Sequence, residues 1–522
     1  MSTDNSHPHD SQRAILKSTS IVSLGTLASR VLGFIRDILL AKFLGTAAVA
    51  DAFFVAFRIP NLFREMLAEG ASNAGVVPVL AGYTGPQKRE EFARVVNTLF
   101  FVFLGVLTLI TIAGIVFAPL IVTFMAPGFV EERGKMALTI HLTRLMFPYL
   151  IFIGLTSFSI AVLYTLRMFV TAAFGPCLLN VAFIAGIFLS VGLPEPVYGL
   201  AWAVLIGGVL QFLFQQVPLA RAGFPLRKPA TFAHPAVGKI GRLLVPRLFG
   251  AGIYQMSILV NTLCASLPSL VGAGGISAIY YADRLIQFPN GVFISSLASV
   301  VLPVLSGQAA SRNAEGFNRT LSFSLKNVFF VMLPVAMIFL CLAEPLVRVL
   351  FERGEFTPYS TRITAQALRY YALGLMAIGG IKVLVTAFYA LQDTITPVKT
   401  AAACLMLNAI LNFFLMRYLQ IGGIALASSL AMTVNFMLLY SLLKRHQVQL
   451  DARLGDYVAK VAACAMVMVP VMAWVWNETV PAPELVRIAL AAARGLAVFF
   501  GVGFIFKVEQ VVKVVEKLKG GA

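Results

Sequence analysis

Residues 21–44 read IVSLGTLASRVLGFIRDILLAKFL, an apolar run long enough to cross a bilayer as one helix. Arg30, Arg36 and Asp37 lie near its centre. A cation at mid-membrane costs about 3 kcal/mol on insertion scales, so it usually faces water or a partner charge. In an unbroken helix Arg30 and Arg36 differ by about 240° in direction, and Gly33 between them leaves open a loosened helix. The run predicts a membrane helix with a functional site or an internal ion pair, such as Arg36 with Asp37.

The next apolar stretch repeats this pattern. Residues 51–70 read DAFFVAFRIPNLFREMLAEG and contain Arg58 and Arg64 beside the acids Asp51 and Glu65. An ion pair between neighbours, such as Arg64 with Glu65, is the simplest explanation for one arginine. Four arginines in two adjacent apolar segments favour a functional site instead.

Composition places the chain among the polytopic membrane proteins. It is 59% hydrophobic and 12% charged, whereas a soluble domain carries roughly 25% charged residues. The N-terminus lacks the pattern of a secretory signal peptide. The five cysteines are single and the five histidines are scattered, so we expect no disulfide framework, no metal site and no cofactor.

About fourteen spans of roughly 20 residues are predicted, and the basic residues between them alternate. The net charge of +18 is concentrated in alternate loops, including the segments 221–242 and 444–453, and in the C-terminal tail. This is the positive-inside pattern with both termini cytoplasmic. The charge therefore orients the protein and favours anionic lipid headgroups. It does not indicate a nucleic-acid partner.

An internal repeat divides the chain. VVPVLAGY (76–83) recurs as VVLPVLSGQ (300–308), and APLIVTFMAPG (118–128) recurs as AEPLVRVLFERG (343–354), at an offset of about 225 residues. Six spans in each repeat make the two halves parallel. The predicted fold is an all-α polytopic membrane protein with two parallel six-helix repeats and two extra C-terminal helices around a central cavity. The predicted segments are an N-terminal tail (1–19), an N-lobe (20–222), a basic linker (223–238), a C-lobe (239–446) and a C-terminal part with spans thirteen and fourteen (447–522).

Two equivalent segments of the repeat, 48–82 and 274–306, are too long for one straight span. Each contains a Pro-Asn pair, which begins at Pro60 in the first and at Pro289 in the second. Proline inside a helix removes a hydrogen bond and kinks the helix. Broken helices at corresponding positions of two repeats point to a transporter's substrate site. Arg284 precedes the second break, as the arginines of residues 51–70 flank the first.

Four stretches resemble one known family: ASRVLGFIRD, DAFFVAFRIPNLFREMLAEGA, YYADRLIQFPNG and LQDTITPVKT. They are similar to the MurJ/MviN family of bacterial lipid II flippases, in the multidrug/oligosaccharidyl-lipid/polysaccharide exporter superfamily. The resemblance implies fourteen helices around a V-shaped cavity and no enzymatic activity. It implies alternating access that moves undecaprenyl-diphosphate-linked disaccharide pentapeptide across the bacterial inner membrane. Membrane lipids are expected partners, as are other cell-wall synthesis proteins.

The resemblance also implies which residues bind the substrate. They are Arg30, Arg36, Arg64, Arg284, Asp51, Asn61, Ser277 and Gln287. Many relatives carry Glu at the position of Gln287, so the role of that acid is open here. Arginine suits a diphosphate because its planar fork donates two hydrogen bonds to phosphate oxygens. The last two spans are expected to form a groove for the polyprenyl tail.

Other functions remain as alternatives. A flippase for another polyprenyl-linked glycan would need the same chemistry, and a cation-coupled drug antiporter would be expected to carry acids in its cavity. A membrane transferase that acts on lipid phosphates would need an acidic metal cluster. The sequence has no DxxD, and Asp393 in LQDTITP is expected to cap a loop. A channel is disfavoured because no filter motif is present.

Overall fold

The computed structural model describes residues 8–66, 75–85, 88–229, 231–232, 234–478 and 482–519, and every regular element in these ranges is helical. A helix satisfies all its backbone hydrogen bonds internally, as the interior of a bilayer requires. The helices are α1 (Pro8–Leu44), α2 (Ala48–Glu65), α3 (Val77–Ala81), α4 (Arg89–Val116), α5 (Ala118–Met125), α6 (Arg133–Met146), α7 (Tyr149–Thr165), α8 (Phe169–Ser190), α9 (Pro196–Arg221), α10 (Pro235–Ala265), α11 (Pro268–Val271), α12 (Gly275–Pro289), α13 (Ser295–Ala310), α14 (Ala314–Phe351), α15 (Pro358–Leu373), α16 (Leu375–Ala390), α17 (Ile395–Leu419), α18 (Ile421–Leu442), α19 (Leu454–Asn477), α20 (Glu484–Ile505) and α21 (Glu509–Lys519).

Within the described ranges, ten helical segments are long and apolar enough to cross a membrane. An eleventh is formed when α15 and α16, which meet at 47°, are counted as one bent span. The other three predicted spans coincide with α1, α2 and α10, each of which carries charged residues within its apolar sequence. The prediction of a polytopic helical protein is confirmed, while the count of fourteen stays a prediction.

The two long segments differ at their Pro-Asn pairs. After Pro289, the residues Asn290–Ile294 form a π-helical turn that joins α12 to α13. Such turns interrupt the regular hydrogen-bond ladder and are frequent at functional sites. In the first segment α2 continues through Pro60 to Glu65 and α3 begins at Val77, so the segment contains two helices, and the kink at Pro60 stays a prediction. A proline removes a single backbone hydrogen bond, and the neighbouring turns preserve the helix. Residues 67–74 lie outside the described ranges.

The chain forms two compact units. Unit 1 comprises Met1–Leu44 and Ala48–Gln255, and unit 2 comprises Gly45–Ala47 and Met256–Ala522. The boundary falls inside α10, so the first turns of this helix pack with unit 1 and its end packs with unit 2. The three residues of unit 2 between α1 and α2 form a tight turn at Gly45.

The same helix pairs pack within each unit, as an internal repeat requires. In unit 1, α8 packs on α9, α2 on α6, and α4 on α7. In unit 2, the equivalent pairs are α17 on α18, α12 on α15, and α14 on α16. The similar sequences at an offset of about 225 residues thus form similar local packing.

The helices outside the repeat belong to unit 2. Helices α19 and α20 pack on each other and on α14. Lys326 Nζ on α14 lies 2.7 Å from an oxygen of Asp451 and 3.2 Å from an oxygen of Glu509 on α21. The side chain of Gln510 donates to Asn327 over 3.3 Å. Lys326, Asp451 and Glu509 line an open pocket of about 710 Å³ between the start of α14, the loop before α19 and α21.

Candidate functional site

The guanidinium of Arg36 is enclosed within unit 1. Its Nε and Nη2 donate to Asp37 Oδ1 over 3.0 and 2.8 Å, and its Nη1 donates to Asn180 Oδ1 over 3.0 Å. The guanidinium carbon lies 5.1 Å from the centre of the Phe183 ring. Arg36 is only 8% exposed and Asp37 only 3%. The internal ion pair that the sequence left open is therefore present.

Arg30 has a different environment on the same helix. Helix α1 runs without interruption past Gly33, so Arg30 and Arg36 differ by about 240° in direction. Arg30 is exposed and makes no hydrogen bond or ion pair with any residue in the described ranges. A Cβ added at Gly33 would lie 3.6 Å from the amide of Asn180, an ordinary contact distance. Gly33 therefore lies where α1 packs against α8, and it does not loosen the helix.

Asp51 lies in the first turn of α2 and is paired with a lysine. Its Oδ2 accepts a hydrogen bond from Lys135 Nζ over 3.1 Å. The same ammonium lies 4.1 Å from the centre of the Phe129 ring and 3.7 Å from an oxygen of Glu132. Asp51 is 2% exposed and Lys135 is 8% exposed. The sequence EERGK (131–135) suggests a loop with charges of both signs. Lys135 instead lies in the first turn of α6, with its side chain buried.

Asn61 and Arg64 contact each other near the end of α2. Arg64 Nε donates to Asn61 Oδ1 over 2.7 Å. Arg58, Asn61 and Arg64 follow one another at intervals of three residues, so their side chains are neighbours on the surface of α2. All three are half-buried. The side chain of Glu65 lies outside the described part of the chain, and its pairing with Arg64 stays an alternative.

Arg284 belongs to a row of polar side chains on α12, just before the π-helical turn. Its Nη2 donates to Tyr280 Oη over 3.1 Å, and its guanidinium carbon lies 4.8 Å from the centre of that ring. Its Nη1 donates to Gln287 over 3.4 Å, and the Gln287 amide donates to Asp283. An ionised glutamate at position 287 could not donate this bond. The glutamine thus suits a helix that already carries Asp283.

Ser277 is fully buried in the first turn of α12. Gly274 precedes this helix with φ +78°, a conformation that favours glycine. A Cβ there would clash with the carbonyl oxygen of Thr46. The close approach of the 45–47 turn therefore fixes the start of α12 and encloses Ser277 within unit 2.

Lys382 is a further cation in an apolar run that the sequence reasoning did not single out. It lies in LMAIGGIKVLVTAFYA (375–390), which forms α16. Its Nζ donates over 2.9 Å to the hydroxyl of Ser295, the first residue of α13 after the π-helical turn. The signal that identified Arg30, a cation in hydrocarbon-like sequence, would also have identified Lys382.

The charged candidate residues fall into two groups by burial of their side chains. Arg36 and Asp51 are buried, and each is neutralised by an opposite charge within 3.1 Å. Arg30, Arg64 and Arg284 keep part of their surface exposed. Guanidinium groups of this second group suit an anionic ligand with several phosphate oxygens. In the part of the chain that the structure describes, no three His, Cys, Asp or Glu side chains are grouped to hold a metal.

Asp393 caps a loop, as the sequence predicts. Its Oδ1 accepts from the backbone N–H groups of Ile395 and Thr396 over 3.2 and 2.9 Å, and its Oδ2 lies 3.0 Å from His446 Nε2. Burial alone would raise the pKa of Asp393, but the hydrogen bonds from Thr396 and the contact with His446 lower it to about 2. The carboxylate is therefore ionised and fastens the start of α17 to the turn that follows α18.

Sequence comparisons relate the chain to one family. The family model described as "Lipid II flippase MurJ" matches residues 40–495. A probable lipid II flippase MurJ of Vibrio cholerae is 37% identical over 88% of this chain and 89% of the relative. A lipid II flippase MurJ of Burkholderia cenocepacia is 35% identical over 92% of this chain and 94% of the relative.

Solved structures agree with the sequence comparisons. A solved structure of a lipid II flippase MurJ in an inward closed conformation matches with a TM-score of 0.80 and 25% identity, over 94% of this chain and 99% of that one. An inward-facing multidrug transporter of the MATE family matches with a TM-score of 0.69 and 16% identity, over 82% of this chain and 96% of that one. The second likeness concerns the fold alone.

Proposed function

Because this chain belongs to the MurJ family of lipid II flippases, which are transporters and not enzymes, we propose that it moves lipid II across the bacterial inner membrane. The substrate would be the undecaprenyl-diphosphate-linked disaccharide pentapeptide, carried from the cytoplasmic to the periplasmic leaflet by alternating access. Both termini would then be cytoplasmic, in keeping with the lysines and arginines of alternate loops.

The observation that carries this proposal is a set of exposed or half-buried arginines on membrane helices of a MurJ-family chain. We propose that Arg30, Arg64 and Arg284 bind the diphosphate, supported by Arg36. A diphosphate presents several anionic oxygens, and each guanidinium donates two parallel hydrogen bonds to such a group. Arg64 is held by Asn61 and Arg284 by Tyr280 and Gln287, so both forks are partly oriented before a ligand arrives.

The remaining candidate residues have supporting parts in this proposal. Asp51 and Ser277 are buried inside their units and would shape the helices that carry the arginines. The polyprenyl tail would lie along α19 and α20, which fall outside the repeat and present apolar residues such as Trp474 and Phe504 at their surface.

Depletion in the native bacterium tests the function directly. Labelled lipid II is followed in each leaflet, by its accessibility to an impermeant reagent, while the protein is depleted. We expect lipid II to accumulate in the cytoplasmic leaflet, and re-expression of the protein to reverse this. An unchanged distribution would contradict the proposal. Accumulation of a different polyprenyl-linked glycan alone would assign the protein to that substrate.

A further inference from the structure

We propose that the open pocket of unit 2 between α14, the loop before α19 and α21 binds the headgroup of a membrane phospholipid. The ligand carries both a phosphate and a primary ammonium group, as a phosphoethanolamine headgroup does. The residues that line the pocket are distinct from those assigned above to the diphosphate of the transported lipid. The inference requires only that the chain lies in a membrane, so its test is independent of the proposed function.

The pocket lies where three helices of unit 2 leave their apolar sequence. Residues 327–343 of α14 carry no charge and directly follow Lys326. The apolar end of α20 reaches Phe506, and α19 begins at Leu454, just after Asp451. Charged residues at the ends of apolar spans mark the headgroup region of a bilayer. The pocket therefore opens at the depth of the headgroups, on the side that the proposed topology makes cytoplasmic.

The walls of the pocket carry equal numbers of positive and negative side chains. The cations are Arg319, Lys326 and Lys513, and the anions are Glu315, Asp451 and Glu509. Lys326 pairs with Asp451 and Glu509, and Lys513 pairs with Glu509. The side chains of Arg319 and Glu315 make no hydrogen bond or ion pair with any residue in the described ranges. These two charges suit a ligand that carries one group of each sign.

Arg319 and Glu315 also lie in the order that such a headgroup requires. Counted outward from Lys326, at the edge of the apolar stretch, Arg319 is about two turns away and Glu315 about three. The two side chains are four residues apart, so they are neighbours on one face of α14. In a phosphoethanolamine headgroup the phosphate is next to the glycerol and the ammonium is at the outer end. Arg319 would therefore bind the phosphate and Glu315 the ammonium.

The lining favours a primary ammonium over the other common headgroups. Asn318 and Gln449 also line the pocket, and their amide oxygens accept hydrogen bonds, of which a primary ammonium donates three. A quaternary ammonium instead favours a cage of aromatic rings. Among the described residues that line the pocket, Phe323 is the one aromatic side chain, and Lys513 Nζ lies 5.3 Å from the centre of its ring. A glycerol headgroup would bring no cation to Glu315.

Exposed apolar residues near the pocket distinguish a lipid from a soluble ligand with the same charges. Phe504 and Ile505 are exposed at the end of α20, a few residues before Glu509. Val514 is exposed on α21, next to Lys513. Burial of apolar surface from water is favourable, so these side chains suit the acyl chains of a lipid whose headgroup occupies the pocket.

Native mass spectrometry of the purified full chain in detergent tests the proposal. The protein is titrated separately with dioleoyl phosphatidylethanolamine, phosphatidylcholine and phosphatidylglycerol, and the dissociation constant of the first bound lipid is measured for each. We expect phosphatidylethanolamine to bind about tenfold more tightly than the other two, the factor typical of one charge-assisted hydrogen bond. Equal affinity for the three lipids would overturn the proposal, and tighter binding of phosphatidylglycerol would assign the pocket to an anionic lipid instead.

Two variants separate the parts of the headgroup. Glu315→Gln should abolish the preference for phosphatidylethanolamine over phosphatidylglycerol, because the ammonium loses its carboxylate. Arg319→Gln should weaken the binding of all three lipids, because each contains the phosphate. The matched controls are Glu516→Gln and Arg445→Gln, which neutralise exposed charges of unit 2 that are not among the residues lining the pocket. Both controls should keep the wild-type preference.

Circular dichroism checks that each variant remains helical. A helical Glu315→Gln variant that keeps the full preference for phosphatidylethanolamine would overturn the role of Glu315. Soluble glycerophosphoethanolamine, which has the same headgroup without acyl chains, should not displace the lipid at equal concentration. Displacement would assign the pocket to a soluble zwitterion and overturn the lipid site. Translocation is not measured in this experiment, so failure of the proposed function would leave its outcome unchanged.

Discussion

Lys135 Nζ lies 3.1 Å from Asp51 Oδ2, and both side chains are more than nine-tenths buried. The pair joins the start of α2 to the start of α6 across 84 residues of sequence. Phe129 lies against the ammonium. Neither charge is available to a ligand without opening this contact, so the pair stabilises the helices of unit 1 that carry Asn61 and Arg64.

Neutralising one member of this pair should therefore destabilise unit 1 more than neutralising both. Asp51→Asn or Lys135→Met alone breaks a buried ion pair by removing one of its two members, which costs about 3–5 kcal/mol. The double variant should recover most of the loss, because neither charge then remains. Unfolding in detergent, followed by denaturant titration, measures the three free energies. Additive losses in the double variant would contradict an interacting pair.

Local sequence signals single out the arginines and the neighbouring pair Arg36 and Asp37, but they do not reveal partners that are distant in sequence. Arg30, Arg36 and Arg64 stand out because any cation in an apolar run is costly. Asn180 lies 144 residues from Arg36, and no local pattern connects them. The ion-pair partner of Asp51 could not be predicted either. Lys135 lies in a charged stretch of sequence that resembles a loop, although it belongs to α6.

The positions of the helix breaks also could not be predicted from local sequence alone. Both Pro-Asn pairs look alike in sequence, yet the pair at Pro289 leads at once into the π-helical turn Asn290–Ile294, whereas α2 continues as an α-helix from Pro60 to Glu65. A proline permits a break, but the packing of the neighbouring helices decides whether the ladder resumes at once. The repeat, in contrast, was predictable because it depends on many weak matches in a constant order.

Topology is the next prediction. Lys228 and Glu355 are both exposed, and they lie in loops predicted on opposite sides of the membrane. A single cysteine at 355 should be labelled by an impermeant reagent added outside whole cells, whereas a cysteine at 228 should react only after the membrane is opened. Each variant is made in a protein without native cysteines. Strong outside labelling at 228 would contradict the proposed orientation.

The docking of α21 should depend on acidic pH. The hydrogen bonds from Lys326 and from the Arg453 backbone lower the pKa of Asp451, and the hydrogen bonds from Lys513 and Lys326 lower the pKa of Glu509. Both carboxylates therefore contribute stability that is fully present above about pH 4.3 and is lost as the pH falls through their lower folded pKa values.

Hydrogen exchange of residues 509–516, corrected for the intrinsic rate at each pH, measures this docking. Protection should be similar at pH 5 and pH 7 and should fall below pH 4. Lys326→Met should lower protection at pH 7, because it removes the cation shared by Asp451 and Glu509. Lys513 is more exposed than Lys326 and contacts Glu509 and, at 5.3 Å, the Phe323 ring, so Lys513→Met should have the smaller effect. Equal effects of the two lysine variants would count against Lys326 as the anchor.

The asparagine contact of unit 2 should show a modest coupling energy. Asn412 donates to Asn261 over 2.9 Å, and hydrogen bonds between membrane helices contribute about 0.6 kcal/mol on average and ~1.7 kcal/mol at most. A double-mutant cycle with Asn261→Ala and Asn412→Ala, measured by unfolding in detergent, gives this energy directly. A coupling energy of zero would mean that the two amides stabilise unit 2 independently.

The central claim is that Arg30, Arg64 and Arg284 bind the diphosphate of lipid II. Each lost charge-assisted hydrogen bond is worth about 1.5–3 kcal/mol, and Arg→Lys should not restore full function because lysine lacks the planar fork. Arg242→Gln provides a control, because Arg242 is exposed on α10 and lies outside this set.

The most direct measurement is complementation of a flippase-depleted strain by the combined variant Arg30→Gln, Arg64→Gln and Arg284→Gln, with blotting for membrane expression. We predict that the combined variant is expressed at the wild-type level but does not support growth, and that labelled lipid II remains in the cytoplasmic leaflet. The Arg242→Gln control should grow normally. Normal growth of the combined variant would contradict the account.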